Sequence, residues 1–360
     1  MGAVLAYEFS KRQARVTVLE RDSVGGLATS GSFAWITNQT VFRNANEISE
    51  ARARDYFELH RLSHNAWRRV NDDLDGGLAL RWTGTLQTAT PETAEERELQ
   101  DEWERRVRWG SPSYWITPAQ AMEMEPHVDL GADTRILYTE DEGSLDPLST
   151  VSLLMESAKS RGATICEGEE VLSVARDGGK SRVKTSARDL EADVVVFACG
   201  VDNPEMLKST VDVPLAESSG SIVHLAPVER LFNSVLLTSM VHAIQRADGR
   251  VVIAQHFSGS PVGDPEVPDP EQLLAVAASV VPGLAGAQIE KVTSRRRIVP
   301  QDGLPIYYSN LEDGVAAITT NAGISLGPIL AQLIVSEILT GVRSSRLDPY
   351  RADRFSTVGA

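Results

Sequence analysis

The amino-acid sequence predicts an α/β protein that combines a discontinuous Rossmann-like domain with a second, mainly antiparallel-sheet α+β domain. A helix and then a strand that ends in an acid open the chain, as in a βαβ unit. A fully apolar strand runs into Ala-Cys-Gly at residues 198–200. Between residues 220 and 256, β-rich runs follow one another without helices, so we expect antiparallel pairing.

Composition limits the class of protein. The chain has 360 residues and is 42% hydrophobic, which is enough for two packed cores. The net charge of −15 repels phosphodiester backbones, so we expect no nucleic acid as a partner. No apolar run reaches the roughly 20 residues of a membrane span. Only Cys166 and Cys199 are cysteines, and both are expected to be buried and inert, in a cytoplasmic protein without disulfides or a metal centre.

The first 31 residues suggest a nucleotide site. Residues 2–10 carry apolar side chains at helical spacing, and the run RVTVLE at residues 15–20 predicts a buried parallel strand. In a dinucleotide-binding βαβ unit the acid after the second strand accepts hydrogen bonds from a ribose, which makes Glu20 the candidate. A loop of small residues follows. Its backbone can approach a flat ring or a phosphate closely, and the alternative is an ordinary flexible loop.

The remaining chain gives a regular series of elements. We expect helices near residues 46–74, 91–108, 148–161 and 329–339. We expect strands near residues 80–88, 164–166, 170–174, 192–200, 220–226, 234–246 and 250–256, with a tight turn at residues 247–249. Residues 259–270 are rich in Gly, Pro and Asp and predict a surface loop.

The opening arrangement, from Gly2 to the acid Glu20 and its neighbour Arg21, resembles the FAD-binding entry of the D-amino-acid oxidase (DAO) family. The resemblance makes Gly2 the last fingerprint glycine and implies that the following loop runs along the flavin. The cofactor candidates in that loop are Gly25, Gly26, Ala28 and Thr29. The family has a strand and Gly-x-Gly before this point. We expect the printed sequence to start at an internal methionine; true loss of the strand is the alternative.

Two later segments resemble the same family. The strand that ends at residue 200 resembles the one that closes on the flavin, although a plain buried strand fits its pattern equally. The implied cofactor residues are Ala198 and Gly200 at the end of this strand, and Val171 in the expected strand at residues 170–174. Residues 316–339 resemble the family's last strand, loop and helix, whose N-terminus faces the pyrimidine end of the flavin. The implied residues are Asn321, which is histidine in many relatives, Gly323, Ile324, Ser325 and Leu326.

The run RIVPQDGLP at residues 297–305 resembles the family's Arg-Pro-x-x-x-Asp-Gly-x-Pro segment, with Ile298 in place of proline. The resemblance implies that Arg297 pairs with the substrate carboxylate, which suits a guanidinium fork, and that Asp302 lies at the cofactor. A surface arginine is the alternative for Arg297. Five further residues are weak pocket candidates for which packing is the preferred interpretation: Trp35, His242, His256, Tyr307 and Tyr308.

The resemblance implies a division of labour along the chain. Residues 1–45, 143–212 and 295–345 form the FAD-binding domain, residues 46–142 and 213–294 form the substrate domain, and residues 346–360 are a C-terminal tail. The implied function is FAD-dependent oxidation of the C–N bond of an amino acid or secondary amine, a small-molecule substrate, to an imine by hydride transfer. The electron acceptor is oxygen or an unknown carrier. A cofactor-deficient accessory subunit and a flavoprotein for substrates without a carboxylate remain alternatives.

Overall fold

The computed structural model describes residues 1–38, 49–216, 219–255, 269–296 and 298–355. The helices in this described part are α1 (Gly2–Lys11), α2 (Glu50–Asp73), α3 (Ala94–Arg108), α4 (Pro118–Met124), α5 (Pro147–Ser160), α6 (Asn203–Leu207), α7 (Pro270–Val280) and α8 (Gly327–Thr340). The expected helices near residues 148–161 and 329–339 are confirmed as α5 and α8, and α8 ends at Gly341, whose φ of 69° is a left-handed C-cap.

The strands are short and numerous. They are β1 (Thr17–Glu20), β2 (Trp35–Ile36), β3 (Thr85–Ala89), β4 (Ser113–Ile116), β5 (Arg135–Thr139), β6 (Gly143–Ser144), β7 (Thr164–Glu167), β8 (Val171–Asp177), β9 (Lys180–Thr185), β10 (Asp189–Ala192), β11 (Val195–Phe197), β12 (Leu215–Ala216), β13 (Ser219–Leu225), β14 (Val235–Leu237), β15 (His242–Gln245), β16 (Val251–Ala254), β17 (Ile289–Arg296), β18 (Val299–Pro300), β19 (Ile306–Asn310) and β20 (Val315–Thr319).

One part of the molecule, here called the parallel-strand half, contains α1, α2, α5 and α8 with strands β1, β7, β11, β19 and β20. β1 pairs in parallel with β7, and β11 pairs in parallel with β20, whose other neighbour is the antiparallel β19. The apolar faces of the four helices share one core with β19 and β20. The predicted strand at residues 15–20 is confirmed as the parallel β1, but its residues are half-buried or exposed, so its expected burial is wrong. The expected strand at 192–200 is β11 only at residues 195–197.

The other part, the sheet half, is an eight-stranded sheet in the order β17-β13-β16-β15-β14-β3-β5-β4, with α3, α4 and α7. Its core is apolar and includes Leu273 and Ala277 of α7. Two expectations need correction. The expected strand at residues 234–246 is two strands, because the Thr238 side chain accepts the Val241 N–H and turns the chain. The pairing is not wholly antiparallel, since β14 lies parallel to β3.

Several features qualify the predicted organisation. The described part of the predicted tail is packed, because Leu347 and Tyr350 are buried in the core of the parallel-strand half. Cys199 is exposed, so its expected burial is wrong, and its backbone has already left β11. Within the described ranges, no helix is both long and apolar enough to cross a membrane. The expected loop at 259–270 lies almost wholly outside the described residues.

Candidate cofactor site

Three segments that are far apart in sequence meet at the start of α1. A Cβ built on Gly2 would lie 4.0 Å from the Cβ of Ala198, and one on Gly323 would lie 3.8 Å from the Cγ of Met1. Gly200 has φ of 64°, and a Cβ there would lie 2.9 Å from Cδ1 of Ile298. Because Gly2, Gly200 and Gly323 have no side chain, the backbones of the three segments can approach one another, or a ligand, closely at this point.

Two helices begin at this meeting point. A Cβ on Gly327, the first residue of α8, would lie 3.5 Å from Cγ2 of Val4 in α1, so the two first turns are neighbours. Neither first turn contains an acid, and neither N-cap residue makes a side-chain capping bond. The first N–H groups of a helix lack intrahelical partners and carry partial positive charge. This pair of helix ends therefore suits an anionic or electron-rich group.

The end of β1 reaches the same place. Glu20 closes β1, and its Oε1 accepts the N–H of Asp22 at 3.0 Å. Arg21 is largely exposed and donates to Asp202 at 3.3 Å. Asp202 belongs to the turn that begins at Gly200, so this ion pair links the end of β1 to the turn after β11. The sequence-predicted residues at 20–21 and 198–200 are thus brought together.

The loop after β1 is built around its glycines. Gly25 has φ of 78°, and a Cβ on Gly26 would lie 2.6 Å from Oγ of Ser23. Both glycines are therefore required by the turn itself, whether or not a ligand lies beside it. Ala28 is exposed, whereas Thr29 is half-buried. Val171, the first residue of β8, is half-buried as well. For this group of residues a cofactor role stays a prediction.

The loop at residues 321–326 is held from two sides. The indole of Trp67 on α2 donates to the carbonyl oxygen of Ile324 at 2.8 Å. The hydroxyl of Ser325 donates to the carbonyl oxygen of Trp35 at 3.0 Å, and the N–H of Leu326 closes a turn onto Ala322 at 2.7 Å. Oδ1 of Asn321 is buried without a hydrogen-bond partner among the described residues. The loop is therefore rigid, and it carries one orphaned acceptor.

A buried carboxylate that sequence analysis missed fixes the neighbouring segment at residues 35–38. Glu142 has no exposed surface and accepts from Trp35 Nε1 at 3.1 Å, Thr37 Oγ1 at 3.1 Å and the Asn38 N–H at 2.8 Å. The guanidinium of the fully buried Arg106 lies 3.5 Å from it. No local pattern distinguishes Glu142 from the neighbouring acids at 140 and 141, so only the tertiary fold reveals it.

Two histidines of α2 lie against the same segment. His60 and His64 are both almost fully buried, and Nε2 of His64 lies 3.3 Å from the carbonyl oxygen of Thr37. Burial lowers the pKa of His60 to about 3 and the pKa of His64 to about 4. Both rings are consequently neutral at neutral pH and do not add positive charge to the site.

The other predicted site residues have mixed outcomes. The Asp302 carboxylate accepts from Arg354 at 2.7 and 2.9 Å, so it holds the C-terminal segment, and its cofactor role stays a prediction. Tyr307 is buried and donates to Glu337 at 3.1 Å, in agreement with the packing interpretation. Tyr308 is half-buried against a small apolar cluster, and the His242 ring lies 6.3 Å from that of Phe33. Arg297 and His256 lie outside the described residues.

These residues fit a flavin dinucleotide. The meeting point combines backbone exposed by glycines, two open helix N-termini, an acid at the end of β1 and an orphaned acceptor at Asn321. Helix N-termini beside glycines are the usual site of a pyrophosphate, and an acid after the second strand suits a ribose. Fold and site together define a dinucleotide-dependent oxidoreductase in which a large, mainly antiparallel sheet accompanies the nucleotide-binding strands.

Comparison with known proteins gives the same class of protein. The family model described as "FAD dependent oxidoreductase" (DAO) matches residues 1–337. Glycine oxidase of Geobacillus kaustophilus (strain HTA426) is 25% identical, over 98% of this chain and 94% of its own length. The crystal structure of glycine oxidase from Geobacillus kaustophilus superposes with a TM-score of 0.84 at 23% identity, covering 98% of this chain and 95% of that chain. The crystal structure of L-proline dehydrogenase from P. horikoshii superposes with a TM-score of 0.82 at 19% identity, covering 98% of this chain and 94% of that chain.

The chain belongs to the DAO family of FAD-dependent oxidoreductases. It is therefore an enzyme whose cofactor is FAD. The predictions of family, fold class and cofactor are confirmed, whereas the domain boundaries and the individual site residues stay predictions.

Proposed function

We propose that this enzyme oxidises the C–N bond of an amino acid or a secondary amine to an imine, which water then hydrolyses. The observation that carries the proposal is the meeting of residues 1–2, 198–200 and 321–326 at two open helix N-termini. FAD, when bound, supplies the acceptor for the hydride that leaves the substrate carbon. The proton that leaves the substrate nitrogen passes to solvent. Oxygen or a carrier is the final electron acceptor.

The chain's own residues bind and orient in this proposal. Glu20 holds the adenosine ribose, and the first turns of α1 and α8 hold the pyrophosphate and the pyrimidine end of the flavin. Gly2, Ala198, Gly200 and Gly323 let the backbone reach the cofactor. The buried network around Glu142 keeps residues 35–38 in place beside the loop at 321–326.

The names of the relatives support the substrate class. One relative is a glycine oxidase and another is an L-proline dehydrogenase, so a primary and a secondary amine are both represented among similar folds. Glycine and proline share an α-carboxylate beside the reacting nitrogen. We propose that Arg297 pairs with that carboxylate. Its neighbour Ile298 has its side chain beside Gly200, where an added Cβ would lie 2.9 Å from Cδ1 of Ile298, and its other neighbour, Arg296, ends β17.

The direct test is anaerobic bleaching of the flavin absorbance of the purified protein by glycine, proline, sarcosine and the corresponding amines without a carboxylate. We expect bleaching by at least one amino acid and not by its decarboxylated analogue. Bleaching only by amines without a carboxylate would overturn the proposed carboxylate recognition and support the alternative of a flavoprotein for substrates without a carboxylate. Purified protein that neither carries nor binds flavin would instead support the accessory-subunit alternative.

Replacement of Arg297 tests the carboxylate assignment. A charged hydrogen-bonded pair contributes about 1.5–3 kcal/mol, so Arg297→Ala should lower kcat/KM for the amino acid by roughly 10- to 150-fold. Arg297→Lys should restore only part of the loss, because an ammonium cannot form the fork. The exposed Arg343→Ala serves as the control. Unchanged kcat/KM in Arg297→Ala would exclude this arginine as the carboxylate partner.

A further inference from the structure

Arg246 is a buried arginine that bonds mainly to backbone. It follows β15 in the sheet half, and its side chain is only 6% exposed. Its Nη2 donates to the carbonyl oxygens of Phe33 at 3.1 Å and Ser32 at 3.3 Å, and its Nη1 donates to that of Leu145. The carboxylate of Asp146 is 4.0 Å from its Nε. One guanidinium fork therefore joins the sheet half to the loop at residues 32–34 and to the start of α5.

The residue after those two carbonyls has an unusual backbone. Ala34 has φ of 61°, in the left-handed region that disfavours any residue with a Cβ. Its N–H donates to Oγ of Ser32 at 3.1 Å, and its carbonyl accepts the N–H of Leu145 at 3.3 Å. Such a conformation costs free energy and persists only where the surroundings hold it. The Arg246 fork grips the peptide groups directly before it.

The left-handed turn sets the course of the chain beside the cofactor site. Before the turn, the ring of Phe33 lies 6.3 Å from that of His242. After it, the indole of Trp35 donates to Glu142, and the carbonyl of Trp35 accepts from Ser325 of the loop at 321–326. If the turn relaxed, both attachments would move. The segment at residues 32–35 therefore connects the loop at 321–326 to the face of the large sheet.

We propose that Arg246 is a positioning residue, whose guanidinium keeps Ala34 in its left-handed turn and so fixes residues 32–35 between the cofactor loop and the sheet half. It touches neither cofactor nor substrate and acts through the backbone. Its catalytic consequence rests on the proposed function, whereas the backbone clamp does not.

The test compares Arg246→Met and Arg246→Lys with Arg250→Met in the FAD-loaded protein. Arg250 lies on the same hairpin but is exposed and pairs with Asp248 and Glu290. Hydrogen exchange of peptides covering residues 30–38 should accelerate about tenfold in both Arg246 variants and stay as in the wild type in Arg250→Met. The visible spectrum of the bound flavin should shift only in the Arg246 variants, and kcat should fall about tenfold with KM nearly unchanged.

Ala34→Gly supplies the decisive cross-check. Glycine adopts positive φ without penalty, so the turn should persist without the clamp, and Arg246→Met should accelerate exchange much less in the Ala34→Gly background. Equal acceleration in both backgrounds, or no acceleration in either Arg246 variant, would overturn the proposal. If Arg246→Met does not fold, Arg246→Lys with and without Ala34→Gly decides. If hydrogen exchange behaves as expected but the protein oxidises neither an amino acid nor a secondary amine, the proposed function is overturned and the backbone clamp stands.

Discussion

The two halves of the molecule are held together in different ways. In the sheet half, eight strands form one continuous sheet, and its core is an apolar layer against α7. In the parallel-strand half, the strands fall into small separate sheets, and the core draws on residues from Ala3 to Tyr350. Buried polar groups join distant segments there: Glu337 pairs with Arg351, and nearby Glu142 binds residues 35–38 and lies against Arg106 of α3.

The comparison indicates which kind of contact fixes the positions of individual atoms. An apolar layer stabilises a sheet but fixes no single atom, whereas a satisfied buried polar network orders particular side chains and peptides. The sheet half has such groups as well, since the buried Glu125 accepts from Ser234, but the proposed cofactor site lies beside the Glu142 network. Loss of a bond in a buried network should therefore cost more stability than loss of an equivalent exposed bond.

The largest effect is expected from Arg351→Met. Arg351 donates to both oxygens of Glu337, at 2.8 and 3.1 Å, and the two side chains are 8% and 4% exposed. Removing the cation leaves a buried carboxylate without its charged partner, at a cost of about 3–5 kcal/mol. Urea unfolding measures the loss. Arg343→Met, which breaks an exposed pair with Asp348, should cost at most about 0.5 kcal/mol. Equal losses in the two variants would contradict the proposed importance of the buried network.

The same contrast explains what could be predicted from sequence. The turn at residues 247–249 and the strand β16 are local, so β-propensity and Gly placement predict them. The small residues at 198–200 and 323 carry a family pattern, so their meeting was also expected. The sequence does not predict the roles of Arg246 and Glu142, because the backbone groups that they bind lie more than 100 residues away in sequence. No periodicity records such a distant backbone carbonyl or N–H.

The pH dependence tests the buried network in a second way. Burial holds the pKa of His64 at about 4, against 6.5 for the unfolded chain. Between these values the unfolded state binds the additional proton, so this contribution to stability is full above pH 6.5 and is lost as the pH falls toward 4. From about pH 7 to about pH 5 the loss is about 2 kcal/mol. On acidification from pH 7 to pH 5, the unfolding free energy of His64→Gln should fall by about 2 kcal/mol less than that of the wild type, as measured by urea unfolding at both pH values.

The exposed His127 provides the matched control for this titration. His127→Gln makes the same side-chain change at an exposed position and is unfolded in urea at the same two pH values. If His64→Gln follows the wild type, the acid sensitivity of the protein comes from groups other than this buried ring.

The smallest effect is expected from replacing one hydrogen-bonded tryptophan by phenylalanine in each half. Trp67→Phe removes the indole bond to the carbonyl of Ile324, and Trp103→Phe removes one to the carbonyl of Ser113 at 3.2 Å in the sheet half. Each lost bond should cost about 1 kcal/mol in urea unfolding. Of these two tryptophans, Trp67 is the one that anchors the loop at 321–326. Trp67→Phe should therefore weaken FAD binding about three- to tenfold in a titration of apoprotein, and Trp103→Phe should not. Equal FAD affinity in the two variants would separate that loop from the cofactor and undo the distinction between the halves.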